Sequence, residues 1–156
     1  MISVDQIKKL REKTSAGVMD CRKALEESNG DEKKAEELLN KWGVEKAAKK
    51  VDRVTGAGAI ESYVHAGGKV GVLVELLCET DFVAKTEDFK KLSHEICLQV
   101  ASMNPKDAKE LLKQEYIRDP SVTIENLIKA TIGKLGENIT VGRISRIALG
   151  RKEEKK

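Results

Sequence analysis

Apolar residues recur with two different periods along this chain. Val4, Ile7 and Leu10 stand three apart and follow Ser3-Val4-Asp5-Gln6. In that opening Ser3 can accept from the amide three residues on while Gln6 reaches back, a capping box. A first helix is predicted from there to about Lys13, with Thr14-Ser15-Ala16-Gly17 as the break. A second helix carries Met19, Arg22, Ala24 and Leu25 and stops at Asn29-Gly30. Asp31 caps a third, whose Ala35, Leu38, Leu39 and Trp42 share one face. The third helix, or a separate basic one, continues through Lys46 to Lys50. Short helices with one apolar stripe each must bury those stripes against one another. Residues 1–54 are therefore predicted to be a compact three-helix module.

After Thr55-Gly56-Ala57-Gly58 the period becomes alternating. Ile60, Ser62, Val64 and Ala66 predict one face of a strand, and Gly67-Gly68 a two-residue hairpin loop. Val70, Val72, Val74, Leu76 and Cys78 predict one face of the returning strand. Phe89, Leu92, Ile96 and Val100 then fall on one side of a helix that Asn104-Pro105 ends. Residues 106–113 predict a short helix, Asp119-Pro120 a turn, and Thr123 to Leu135 another helix stopped by Gly136. Ile139, Val141, Ile144, Ile147 and Leu149 predict a third strand on the hairpin. The fold class is thus α+β: three helices, then residues 55–150 as a three-stranded antiparallel sheet with helices, then a charged tail at 151–156. Leu73, Leu77, Tyr63 and Ile144 are expected on the sheet's second face. Such a face is too apolar to leave in water, which predicts a homodimer.

Composition narrows the function. Among 156 residues, 29 are Lys or Arg and 26 are Asp or Glu, for a net charge of +3. The first 54 residues hold 13 basic and 11 acidic residues, so neither part is a concentrated basic surface. The longest uncharged stretch, Ile96 to Pro105, is far short of the roughly 20 residues that span a bilayer. The N-terminus carries no apolar signal region, so a cytoplasmic location is expected. Cys21, Cys78 and Cys97 are odd in number and far apart, and imply no disulfide framework.

Candidate chemistry is sparse. His65 reads as a surface histidine on a strand. His94 and Cys97, three apart on a helix, could give two metal ligands, but no second pair stands at a matching spacing. Gly133-Lys134 would need a glycine at position 128 for a phosphate loop, and Ile128 stands there. No catalytic residue, metal ligand or cofactor is assigned, and an enzyme is not predicted. The basic run Lys46 to Arg53 reads as a solvated face; an RNA- or ribosome-associated role for that helix is the alternative. Thr80-Asp81-Phe82-Val83 stands apart, because only five aromatics occur in the chain and Phe82 falls in a connection. Either Thr80 or Asp81 caps the next turn and Phe82 packs inward, or Phe82 is an exposed interface anchor.

At these residues the chain resembles a known family. Leu10-Arg11-Glu12-Lys13-Thr14 with Ala16-Gly17-Val18-Met19-Asp20-Cys21-Arg22-Lys23-Ala24-Leu25 resembles the N-terminal signature of bacterial elongation factor Ts. Glu79-Thr80-Asp81-Phe82-Val83-Ala84-Lys85 resembles its core signature, and Lys134-Leu135-Gly136-Glu137-Asn138-Ile139 a third segment. The resemblance implies a ubiquitin-associated-like N-terminal bundle and a core of the short, single-core type. It implies a translation factor that exchanges guanine nucleotide on elongation factor Tu without binding nucleotide itself. Thr80, Asp81, Phe82 and Val83 would help displace Mg²⁺ in that partner, and Leu10, Val18, Met19 and Arg22 would form the N-terminal contact. Ser15 stands where the family often has Gly, and Val18 where it often has Met.

Overall fold

The computed structural model describes residues 1–65 and 67–151; Ala66 and the tail from residue 152 onward lie outside the described residues. The fold is α+β. Its contacts divide it into two compact units, Met1–Asp52 with Lys129–Gly136, and Arg53–Ile128 with the residues from Glu137 onward.

The first unit is built on α1 (Val4–Thr14), α2 (Val18–Glu27) and α3 (Glu32–Ala48). The Ser3–Gln6 capping box is complete, the Ser3 amide donating to Gln6 Oε1 at 2.9 Å and the Gln6 amide to Ser3 Oγ at 3.2 Å. α1 ends on Ser15 at φ 56°, a left-handed cap that glycine takes without steric cost. Gly is the residue that the resembled family often has there. Leu10, Cys21, Ala24, Leu25 and Ala35 form the core, with Ile2, Ile7, Leu38, Leu39 and Trp42 packed around it. α3 runs unbroken through Ala48 and Lys49 is its C-cap, so Lys46 lies in the last turn and the stretch through Lys50 forms no separate helix.

The second unit holds a sheet in the order β1 (Ala57–His65), β2 (Val70–Cys78), β5 (Ile139–Ala148), antiparallel throughout. The hairpin link is longer than the predicted two residues. His65 pairs with Val70, and the His65 carbonyl accepts from the amides of Gly68 and Lys69. α4 (Asp81–Ala84) and α5 (Glu87–Met103) follow, then α6 (Ala108–Lys113). A small ribbon of β3 (Glu115–Tyr116) and β4 (Asp119–Thr123) replaces the predicted turn at Asp119-Pro120. α7 (Ile124–Leu135) gives its first turn to this unit and its remainder to the first. Val72, Val74, Leu76 and Cys78 are buried on the face of the sheet toward α5, whose Phe89, Ile96, Cys97 and Val100 are fully buried.

Two residues expected on the second face lie on the core face instead. Tyr63 pairs with Val72 and Ile144 with Val74, and strand partners share a face. A bulge causes the shift for Ile144: the register slips between Val74 and Leu76, where the Glu75 carboxylate lies over Gly142 and accepts from the Arg143 amide at 3.1 Å. One extra residue inverts the alternation beyond it. The open face accordingly carries Ile60, Val64, Leu73, Leu77 and Ile147.

Glu95 of α5 joins the β3–β4 ribbon to the helix. Its Oε2 accepts from the Tyr116 hydroxyl and from Arg118 Nε, both at 2.6 Å. Burial first, and then the bond to Glu95, push the Tyr116 hydroxyl up to about 12. A phenol whose pKa is higher folded than unfolded holds its proton longer in the native state. The stability it adds is complete below the unfolded value near 10 and is lost as pH rises toward 12. Tyrosinate absorbance is expected to show one of the two tyrosines titrating near 12. Tyr116→Phe should remove that step and flatten the loss of stability between those values.

Candidate functional site

The segment after β2 is built to turn a side chain outward. Cys78 closes the strand in the core, its Sγ donating to the Thr80 carbonyl at 3.1 Å. Burial first, and then the neighbouring Glu137 charge, push that thiol up. Thr80 has extended backbone and is the N-cap of α4, its Oγ1 accepting from the Val83 amide at 3.5 Å. One turn of helix then fixes the directions of Phe82 and Val83. Val83 points inward and is 9% exposed, while Phe82 is 87% exposed. Thr86 closes the other end: its Oγ1 donates to the Val83 carbonyl at 2.7 Å and accepts from the Phe89 amide, which starts α5. Of the two readings of the motif, Thr80 is the cap, but the inward residue is Val83 and not Phe82. An aromatic ring in water on a braced turn forgoes burial worth about 2 kcal/mol, which is a cost without a structural return.

The N-terminal candidates divide differently. Leu10 is 1% exposed and belongs to the bundle core, so it cannot be a surface contact as expected. Its spacing with Val4 and Ile7 marked the buried stripe of α1. Val18, Met19 and Arg22 are exposed on α2, Met19 at 72%. Arg22 Nε donates to Glu26 Oε1 at 2.8 Å, one turn on. These three are two exposed apolar side chains and a cation on α2.

The remaining candidates do not converge. His94 is exposed and meets the Tyr63 ring edge-on at 5.7 Å between centroids. Cys97 is buried three residues on, its Sγ donating toward the Glu61 carbonyl at 3.6 Å, and burial pushes its thiol up to about 12. His65 Nδ1 lies 2.7 Å from the Tyr63 hydroxyl. In the basic run, Lys46 pairs with Asp20 at 2.7 Å and Arg53 with Glu79 at 3.6 Å, which removes two of its charges from a free surface. Among the described residues no helix is long and apolar enough to cross a membrane.

Fold and site together define an α+β protein that presents an exposed aromatic on a capped, one-turn helix at the end of a sheet. The family model for elongation factor Ts matches residues 79–155, which begin one residue before Thr80. Elongation factor Ts of Thermoanaerobacter sp. strain X514 is 42% identical, with 96% of each chain covered. That of Caldanaerobacter subterraneus subsp. tengcongensis is 41% identical over 99% of this chain and 100% of its own length. The chloroplastic elongation factor Ts of Guillardia theta is 43% identical over 99% and 92%. The first of these alignments runs over 195 positions, 39 more than the 156 residues of this chain, so the relative has at least that many positions without a counterpart here. The chain belongs to the elongation factor Ts family, a family of translation elongation factors.

Proposed function

We propose that this chain is a guanine-nucleotide exchange factor for elongation factor Tu. The observation that carries this reading is Phe82, the exposed ring on a braced turn within the segment that the family model matches. Anchors of this kind dominate protein interfaces. Thr80, Asp81, Phe82 and Val83 act as one element: Thr80 and Val83 hold the turn, and Asp81 and Phe82 project from it. Inserted beside the partner's nucleotide site, they displace its Mg²⁺ and leave the phosphate charge uncompensated, which weakens GDP. By linkage GDP weakens the factor's hold on the partner by the same ratio. No covalent step is involved, so no nucleophile, general base or cofactor of this chain is required. The module of residues 1–54, read as ubiquitin-associated-like, docks through Val18, Met19 and Arg22. The cytoplasm is the compartment in which such a partner would be met. The decisive experiment is release of labelled GDP from elongation factor Tu with and without this protein. An unchanged release rate overturns the reading.

The same proposal includes a homodimer formed through the open face of the sheet. Ile60, Val64, Leu73, Leu77 and Ile147 give it apolar character, and the Glu75–Arg143 pair at 3.2 Å stands among them. A two-fold axis would place the same patch on both sides. Light scattering at micromolar concentration is expected to give twice 17.2 kDa, and a mass near one chain would sink the dimer.

A further inference from the structure

The β2–β5 ladder ends where Cys78 faces Ile139. Beyond that pair the two strands stay joined, but through carboxylates. The Thr80 amide donates to Glu137 Oε1 at 2.9 Å, and the Thr80 hydroxyl donates to Glu137 Oε2 at 2.7 Å. In the opposite sense the Asn138 amide donates to Glu79 Oε1 at 2.8 Å. Asn138 Nδ2 donates to the Arg53 carbonyl at 2.9 Å, which ties the second residue of the pair to the chain entering β1. Two adjacent residues on each strand thus exchange side-chain acceptors for backbone donors.

The residue gripped at two points is the cap of α4. Four residues of helix have no stability of their own, since one turn fixes several dihedral angles for a single hydrogen bond. The direction of Phe82 therefore depends on what holds Thr80. A carboxylate that accepts from both the amide and the hydroxyl fixes Thr80 in position and in rotation, and bonds to an ionised acceptor are roughly twice as strong as neutral ones.

We propose that Glu137 is a positioning residue for the Phe82 turn: its bidentate grip on Thr80 orders α4 before the partner arrives. This rests on the exchange-factor reading above. An element ordered in advance spares the complex the cost of ordering it on association. Glu137 touches neither nucleotide nor Mg²⁺ in this account and acts through Thr80 alone.

The test uses the full chain as wild type, Glu137→Ala, Glu137→Gln, Phe82→Ala and the Glu137→Ala/Phe82→Ala double variant. In free Glu137→Ala the Thr80 amide should exchange with deuterium at least about tenfold faster, as expected for loss of a charged acceptor. Stimulated GDP release from elongation factor Tu should slow by roughly tenfold in the same variant. Glu137→Gln, whose side-chain oxygen can still accept from the Thr80 amide, should recover most of the rate. In the Phe82→Ala background the Glu137→Ala change should add almost nothing, because a positioning residue has no effect once the group it positions is gone. A Thr80 amide that stays protected in Glu137→Ala, or an equal slowing with and without Phe82, overturns the proposal. If Glu137→Ala does not fold, Glu137→Asp serves in its place: its carboxylate is one methylene shorter and draws back from both Thr80 donors while the Thr80 cap on Val83 is kept, and its slowing must likewise vanish in the Phe82→Ala background. Failure of the wild-type protein to accelerate GDP release would instead overturn the exchange-factor reading, and the amide measurement in the free protein would still decide the clamp.

Discussion

Phe82→Ala is expected to slow stimulated GDP release by about thirtyfold, the equivalent of a 2 kcal/mol anchor. The same change should move the melting midpoint by no more than about 2 °C, since substitutions of exposed side chains rarely exceed half a kcal/mol. The two expectations separate because Val83, not Phe82, supplies the inward contact of α4. Val83→Ala should behave in the opposite manner, destabilising the turn as a partly filled cavity and affecting exchange only through that. Stopped-flow release of a fluorescent GDP measures the first effect, and calorimetry the second. Unaltered exchange in Phe82→Ala removes the anchor; a collapse of the melting midpoint shows that the ring is structural.

Helices α1 to α3 were legible in the sequence because signals mark several of their ends: Ser3 with Gln6 opens α1, Asn29-Gly30 follows α2 and Asp31 caps α3. The three-stranded sheet was legible for the same reason, as period-two alternation is hard to imitate over nine residues. Ile144 and Tyr63 were assigned to the wrong face for two different reasons. Ile144 lies beyond a bulge, and a bulge leaves no trace in hydrophobicity except a glycine such as Gly142. Tyr63 does stand opposite Ile60 and Val64, as alternation requires, but alternation does not say which face of β1 packs, and it is the Tyr63 side that shares a face with buried Val72 while Ile60 and Val64 are exposed. The ribbon of β3 and β4 escaped notice because Pro120 reads as a breaker and Glu115–Tyr116 is too short to show a period.

The candidate site was readable in outline only. Thr80 was identifiable as a cap from its residue type, but which of Phe82 and Val83 turns inward depends on one helical turn of geometry. Leu10 was placed at a contact by resemblance, although its own spacing had already put it on the buried stripe of α1. Glu137 stands in the Lys134–Ile139 segment, whose residue types carry no sign of what its carboxylate holds. Its link to Thr80 joins positions 57 apart in sequence, and no local pattern encodes such a bond.

Gly133 and Gly43 give the second large expectation, and they give it with opposite signs. α3 and the second part of α7 cross at these two residues within the first unit. A Cβ built on Gly133 would fall onto Gly43 Cα and within 2.8 Å of the Gly43 carbonyl carbon and oxygen. Those are backbone atoms, so no rotamer change can relieve the overlap and the helices must separate. A Cβ on Gly43 would meet the Ala130 carbonyl at 3.5 Å and Gly133 Cα at 3.8 Å, which is ordinary contact. Both residues lie in helix interiors, where replacing Gly by Ala is worth up to about 1 kcal/mol in propensity. For Gly133→Ala the overpacking, commonly about 1–3 kcal/mol and more against rigid backbone, exceeds that gain. A net loss of about 2 kcal/mol is expected, or a melting midpoint lower by about 4–8 °C. Gly43→Ala meets no overlap and keeps the propensity gain, so its midpoint should stay level or rise by a few degrees. Denaturant and thermal melts of the two single variants decide it. Equal losses in both would show that the crossing leaves no more room at Gly43 than at Gly133, and equal gains would show that the helices part at little cost.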